Sequence, residues 1–284
     1  MQAITKLLAS GDSCTGIPSG YKDLDELTNG FQKGEFTVIG ARPSVGKTAL
    51  ALSMAANISI RHKIPVGFFS LEMSEQAIMQ RLISSETRIP SNNIRAGMLS
   101  PLQISKIHDI VGEIYSGLDL LFLTSVSDLK MLDLRALARK MIRDNGVKII
   151  FIDYLTLIQA ENKTIPRHEQ IAEISRSLKA LARELDIPIV VLSQVKRETE
   201  TRKGPPLLAD LRESGSIEQD ADLVIFLHKK DKKNDEESKS DTPGIIETDI
   251  IIAKQRNGPI GDIKMVFLPQ YTRFESKSKE ENKN

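Results

Sequence analysis

Eight residues, ARPSVGKT at positions 41–48, set a lysine and a hydroxyl side chain directly after a glycine. Between a strand and a helix, that order lets backbone N–H groups curl around phosphate oxygens. The lysine then reaches the outer phosphates, and the hydroxyl offers itself to Mg²⁺. EFTVIG in front reads as a strand and KTALALSMAA behind opens a helix, so the context is the required one. The residues expected to cradle phosphate are Ser44, Val45, Gly46, Lys47, Thr48 and Ala49, with Thr48 also a metal ligand. The fit to G-x-x-x-x-G-K-[ST] is imperfect: Ala41 holds the first glycine position, and Gly40 comes one residue early.

Three further apolar runs carry polar residues at or just past their ends. KIIFIDY reads as an apolar strand ending in Asp153, which is placed to present a carboxylate to a metal shell or merely to cap the next element; the phosphate loop favours the metal. FFSLEMS puts Glu72 just past the strand that follows the phosphate-loop helix, at a sheet edge. It reads either as a general base for water or as a glutamate stabilised near a helix N-terminus. VVLSQ ends on Ser193 and Gln194, where an amide could sense a terminal phosphate or satisfy a strand end. Beyond it, VKRETETRKGPPLLADLRESG carries Lys196, Arg197, Arg202, Lys203 and Arg212 without helical or strand periodicity and without an interleaved aromatic. Such a loop suits a nucleic-acid backbone better than base stacking, with a solvated loop as the competing reading.

The elements that must position these residues are short apolar runs. EFTVIG, IPVGFFS, LDLLFL, VKIIFID, IPIVVLS and ADLVIFL recur along the chain, with helical spacing in the earlier intervals. That pattern predicts a buried, mostly parallel sheet flanked by helices, with ligand sites at the carboxyl ends of strands. Ile171, Ile174, Leu178, Leu181 and Leu185 form one helical stripe. Toward the C-terminus, ETDIIIAKQ and DIKMVFLP flank RNGPIG and predict an antiparallel hairpin with Lys254 and Arg256 at its tip. KKDKKNDEESKSDTPG reads as a charged loop, ESKSKEENKN as a disordered tail, and AITKLLA as a short amphipathic helix that could dock on a neighbouring subunit.

Composition narrows the class. A single cysteine, Cys14, excludes an internal disulfide, and four scattered histidines lack metal-ligand spacing. The N-terminus lacks a signal-peptide core and no segment reaches the length of a membrane span, so a cytoplasmic protein with no membrane contact is expected. A net charge of +1 neither favours nor excludes nucleic acid.

In this order, the phosphate loop, Glu72, Asp153, Gln194, DLRESGSIEQDAD and KQRNGPIG resemble the RecA-like motor domain of replicative DNA helicases of the DnaB type. The resemblance runs from TGIPSGYKDLDELTNGF to YTRFE, nearly the whole chain, and its last two motifs are far more specific than any phosphate loop. It implies a RecA-like α/β P-loop NTPase that forms a homo-hexameric ring, hydrolyses ATP with Mg²⁺ and moves 5′ to 3′ on single-stranded DNA. It assigns Lys47 and Thr48 to phosphate and Mg²⁺, Glu72 to activating water, Asp153 to the metal, and Gln194 to linking the γ-phosphate with DNA. Arg212, Glu213 and Gly215 match the family's DNA-backbone loop, while Arg197 is expected to contact DNA from the cationic loop itself; Lys254 and Arg256 match residues that reach a neighbour's ATP.

The organisation expected is a linker helix and linker over 1–15, the motor over 16–275 and a tail over 276–284. The family normally carries an N-terminal helical collar that contacts primase, and this chain begins near the linker helix. Weak assembly, dependent on concentration and nucleotide, is therefore expected, with primase and a helicase loader as partners of a longer form. Pro166-Arg167 and Gln170 depart from the Asn-Arg and Glu of many relatives, so no DNA or subunit role transfers to that loop.

Overall fold

Each of the six apolar runs forms a strand in the computed structural model, which describes residues 14–115, 120–195, 202, 204–211, 215–229 and 244–277. β1 (Phe36–Ala41), β2 (Val66–Ser70), β3 (Leu121–Ser125), β4 (Ile149–Asp153), β5 (Ile189–Gln194) and β6 (Leu223–Lys229) run parallel. The expected hairpin is β7 (Ile246–Gln255) and β8 (Gly261–Leu268), extended by β9 (Arg273–Ser276) into an antiparallel wing. The sheet order is β3-β2-β4-β5-β1-β6-β7-β8-β9. β1 and β4 are buried at every position because helices cover both faces, whereas β8 alternates, as a strand with one covered face must.

Helices α1 (Lys22–Thr28), α2 (Lys47–Ala56) and α3 (Glu75–Thr87) pack on one face, where Leu24, Leu50, Met54, Ile78 and Leu82 join Phe267 and Phe274 of the wing in one apolar cluster. After the short α4 (Ser91–Ala96) and α5 (Pro101–Tyr115), helices α6 (Met131–Asn145), α7 (Arg167–Leu185) and α8 (Gly215–Asp220) cover the opposite face. The stripe read in the sequence is real: Ile171, Ile174, Leu178 and Leu181 of α7 are buried, with Leu185 partly so. Each such side chain removed from water contributes about 1.5–3 kcal/mol.

Three details differ from the expectations. β2 lies one strand in from the edge because β3 covers it, so Glu72 does not follow an edge strand. Apolar runs announce strands but carry no information on their order. The cationic loop is not featureless: it holds a 3-10 turn at Leu208–Asp210, and the exposed Arg202 is engaged there by Asp210 and the Pro205 carbonyl. β9 continues through Ser276, one residue into the expected tail. The N-terminal AITKLLA segment, the stretch 230–243 and residues 278–284 lie outside the described residues. No helix among the described residues is long and apolar enough to cross a membrane.

Candidate active site

The carboxyl ends of β1, β5, β4 and β2 are neighbours in the sheet, and the residues singled out by chemistry meet there. β1 ends at Ala41, whose register partner is Gln194 at the end of β5. Asp153 ends β4 opposite Ser70 at the end of β2. The loop leaving β1 then turns through two positive φ values, 62° at Ser44 and 104° at Gly46, before α2 starts at Lys47. Only glycine adopts the second cheaply, and there is little space for more: a Cβ on Gly46 would lie 3.1 Å from the Phe274 ring. Phe274 is stacked on Phe267 with centroids 4.7 Å apart, so the antiparallel wing forms the floor beneath the phosphate loop.

Gly40 answers a different need. A Cβ there would come within 2.6 Å of the buried Phe226 ring, so this glycine serves packing within the sheet. The turn itself starts from Ala41, which accounts for the displaced glycine in the motif.

Lys47 is nearly buried, with Nζ 3.8 Å from Asp153 Oδ1 and 4.5 Å from the centroid of the Tyr154 ring. Burial pushes its ammonium below the ordinary lysine range, partly offset by the carboxylates of Asp153 and Glu72. Thr48 Oγ1 donates to Asp153 Oδ2 at 2.7 Å, tying the start of α2 to the end of β4. Lys47 Nζ and Asp153 Oδ1 are buried without a hydrogen-bond partner, in a protein interior where such groups are normally satisfied. A phosphate oxygen on the first and a hydrated cation on the second would satisfy both. The donor set, a hydroxyl and a carboxylate, suits Mg²⁺.

Glu72 sits in a pinned turn. Leu71 N donates to Asp153 O, and Ser70 Oγ accepts from Met73 N and donates to Met73 O, while Ser74 caps α3 through Ala77 N. The exposed Glu72 side chain shares a cavity of about 410 Å³ with Ser44, Gly46, Lys47, Thr48 and Gln194. Ala49 also borders this cavity, whereas the Val45 side chain packs against the core.

Sequence reasoning missed three residues here. Arg81 of α3 and Thr272 before β9 line the cavity, and Tyr154 lies under the Lys47 ammonium. Tyr154 adjoins Asp153 in sequence, whereas Arg81 and Thr272 arrive only through tertiary packing, Thr272 Oγ1 donating to the Arg81 carbonyl.

Lys254 and Arg256 occupy the opposite end of the sheet. β7 runs back along β6, pairing Gln255 with Leu223, and Arg256 N donates to the Asp222 carbonyl. The Arg256 guanidinium bonds to Gln219 O at 2.6 Å and Lys254 Nζ to Glu218 O, both at the C-terminal end of α8. Burial and the adjacent Arg256 hold the Lys254 ammonium below its usual range. Gly215 begins α8; Arg197, Arg212 and Glu213 lie outside the described residues. No cluster of three or more metal-ligating side chains of the His, Cys, Asp and Glu types occurs among the described residues.

The family model for the DnaB-like helicase C-terminal domain matches residues 16–276. The replicative DNA helicase DnaB of Treponema pallidum is 51% identical over 263 residues, covering 93% of this chain and 56% of that protein. DnaB of Geobacillus stearothermophilus is 43% identical over 262 residues, covering 92% of this chain and 56% of the relative. The chain thus spans little more than half the length of these curated relatives. Among solved structures, the ATPase domain of G40P superposes with a TM-score of 0.87 at 36% identity, covering 97% of this chain and 96% of that one. A DnaB-like replicative helicase, described with its interactions with primase, gives a TM-score of 0.87 at 37% identity over 97% of this chain and 67% of its own. On the length and extent of these matches, the chain belongs to the DnaB-like helicase C-terminal domain family.

Proposed function

We propose that this chain is the motor of a replicative DNA helicase, hydrolysing ATP at the interfaces of a homo-hexameric ring to move 5′ to 3′ along single-stranded DNA. The observation that carries this reading is the separation of its two cationic groups. Lys47 lies with Asp153, Glu72 and Gln194 at one end of the sheet, while Arg256 is anchored at the other. β1 alone is six residues long, a span of roughly 17 Å or more, so Arg256 cannot serve the phosphate site of its own chain. A second copy is the natural recipient.

In this reading Lys47 and the amides from Ser44 to Ala49 bind the β- and γ-phosphates, and Thr48 with Asp153 holds Mg²⁺, which when bound neutralises charge on the phosphate oxygens. Glu72 takes a proton from the attacking water as the bond between the γ-phosphorus and the bridging oxygen breaks, releasing ADP and phosphate. Gln194, at the end of β5, senses the terminal phosphate and passes its state to the following loop. Lys254 and Arg256 of the adjoining subunit stabilise transition-state charge, an effect worth about a thousandfold or more in related phosphoryl transfers. Arg197, Arg212, Glu213 and Gly215 contact the DNA backbone. The cytoplasm, with primase and a loader as partners of a longer form, is the corresponding setting.

ATP turnover measured against protein concentration, with and without oligo-dT, tests this. Turnover that rises faster than linearly and responds to DNA is expected. Tight ATP binding with no hydrolysis in the presence of DNA would instead indicate a nucleotide-binding regulatory module.

A further inference from the structure

Asp222 stands between α8 and β6 with its side chain 7% exposed, and it joins three parts of the chain. Its amide donates to Phe36 O, and its Oδ2 accepts from Phe36 N at 2.8 Å, closing the β1–β6 ladder at its amino end. The same Oδ2 accepts from Lys179 Nζ at 2.5 Å, and that ammonium also bonds to Gly34 O. The remaining oxygen, Oδ1, lies 3.3 Å from Arg256 Nη1, while the Asp222 carbonyl accepts from Arg256 N.

A strand end needs only a neutral acceptor for the Phe36 amide, which an asparagine or serine supplies. A buried carboxylate is costly and is retained only where its charge has partners. Here Lys179, 14% exposed on α7, compensates the charge, leaving Oδ1 directed at Arg256. Arginine side chains lose much rotamer freedom when fixed. Arg256 is fixed at three points, through its amide, the Asp222 carboxylate and the Gln219 carbonyl, while its side chain stays 43% exposed. That combination is a cation held ready at a surface.

We infer that Asp222, its charge balanced by Lys179, is a positioning residue that presents Arg256 to the nucleotide of an adjoining subunit. The inference rests on the proposal that Arg256 acts across a subunit interface. Because the contact is made through Arg256, loss of Asp222 impairs the service a subunit gives its neighbour and spares the phosphate site of its own chain.

The test uses the full chain with oligo-dT and ATP. Asp222→Asn is expected to lower kcat about tenfold to a hundredfold, the scale of a misplaced catalytic group, with KM for ATP within about twofold. Combined with Arg256→Ala it should slow turnover no further than Arg256→Ala alone, because both act through one guanidinium. Mixed rings supply the direction: Asp222→Asn with Glu72→Ala should recover turnover, since the Glu72→Ala subunits offer an intact Arg256, and Asp222→Asn with Arg256→Ala should not. Additive losses in the double variant, or recovery in neither mixture while Arg256→Ala with Glu72→Ala does recover, would overturn the inference. Failure of that last control mixture would instead count against the interfacial reading itself. Should Asp222→Asn fold poorly, Asp222→Glu keeps the charge for Lys179 while displacing the carboxylate, and the same non-additivity is expected.

Discussion

Lys47 and Arg256 stand at opposite ends of the same strand: Lys47 follows the loop leaving the carboxyl end of β1, and Arg256 is bonded to Asp222, which clasps Phe36 at its amino end. One subunit therefore carries a phosphate site on one side and a cationic tip on the other. Under the proposed function, that separation suits a head-to-tail contact in which the cationic end of one copy meets the phosphate site of the next.

The hydrogen bond from Thr48 to Asp153 yields the first expectation. Thr48→Val keeps the shape and removes the donor, leaving both oxygens of a buried carboxylate without a hydrogen bond, at a cost of about 1–3 kcal/mol in urea unfolding. Turnover should fall at least about a hundredfold as the metal loses its hydroxyl ligand, while Thr48→Ser retains both. A Thr48→Val protein as stable and active as wild type would remove Thr48 from the site.

The depressed ammonium of Lys47 makes nucleotide binding pH-dependent. Phosphate favours the charged lysine, so binding above the depressed value must take up a proton. Affinity for a non-hydrolysable ATP analogue should be flat at lower pH and fall as pH rises through that value, by up to about tenfold per unit. Without nucleotide the sign is reversed: the unfolded chain binds the extra proton, so domain stability from this group rises between the folded value and the ordinary lysine value. Lys47→Arg, always charged, should abolish the fall in affinity, and a fall that persists would assign it to another group.

The displaced glycine of the phosphate loop gives a contrast of neighbours. Gly40→Ala drives a methyl group against the Phe226 ring and Leu211 and should cost about 1–3 kcal/mol by overpacking. Ala41→Gly, which restores the standard pattern, should leave ATP affinity unchanged. Thermal unfolding of the two variants decides; equal melting would mean that the sheet yields at Phe226.

Much of this architecture was legible in the chain. Strands buried on both faces appear as unbroken apolar runs, so β1 to β6 could be read directly, as could the α7 stripe and the Gly-Pro turn between β7 and β8. β9 escaped notice because RFES has a single buried side chain, Phe274, and needs β8 to pair with. Strand order is equally silent in the sequence, so the place of β2 one strand in from the edge, and with it that of Glu72, emerges only in the fold. At the site, Lys47, Thr48, Asp153, Glu72 and Gln194 were named because their chemistry is tied to strand ends. Arg81 and Thr272 have no local pattern, and Asp222, although it ends DLRESGSIEQDAD, gives no local sign of its pairing with Lys179; these contacts acquire meaning only when the wing folds back and α7 is packed on the sheet.

The most direct test of catalysis across an interface is an equimolar mixture of Arg256→Ala with Glu72→Ala, assayed for DNA-stimulated ATP turnover beside each variant alone. Each variant alone should be nearly inactive, and the mixture should recover a fraction of wild-type turnover, because some interfaces then pair an intact Glu72 with an intact Arg256. A mixture no more active than the mean of its parts would place Arg256 outside the neighbour's reaction and contradict the account.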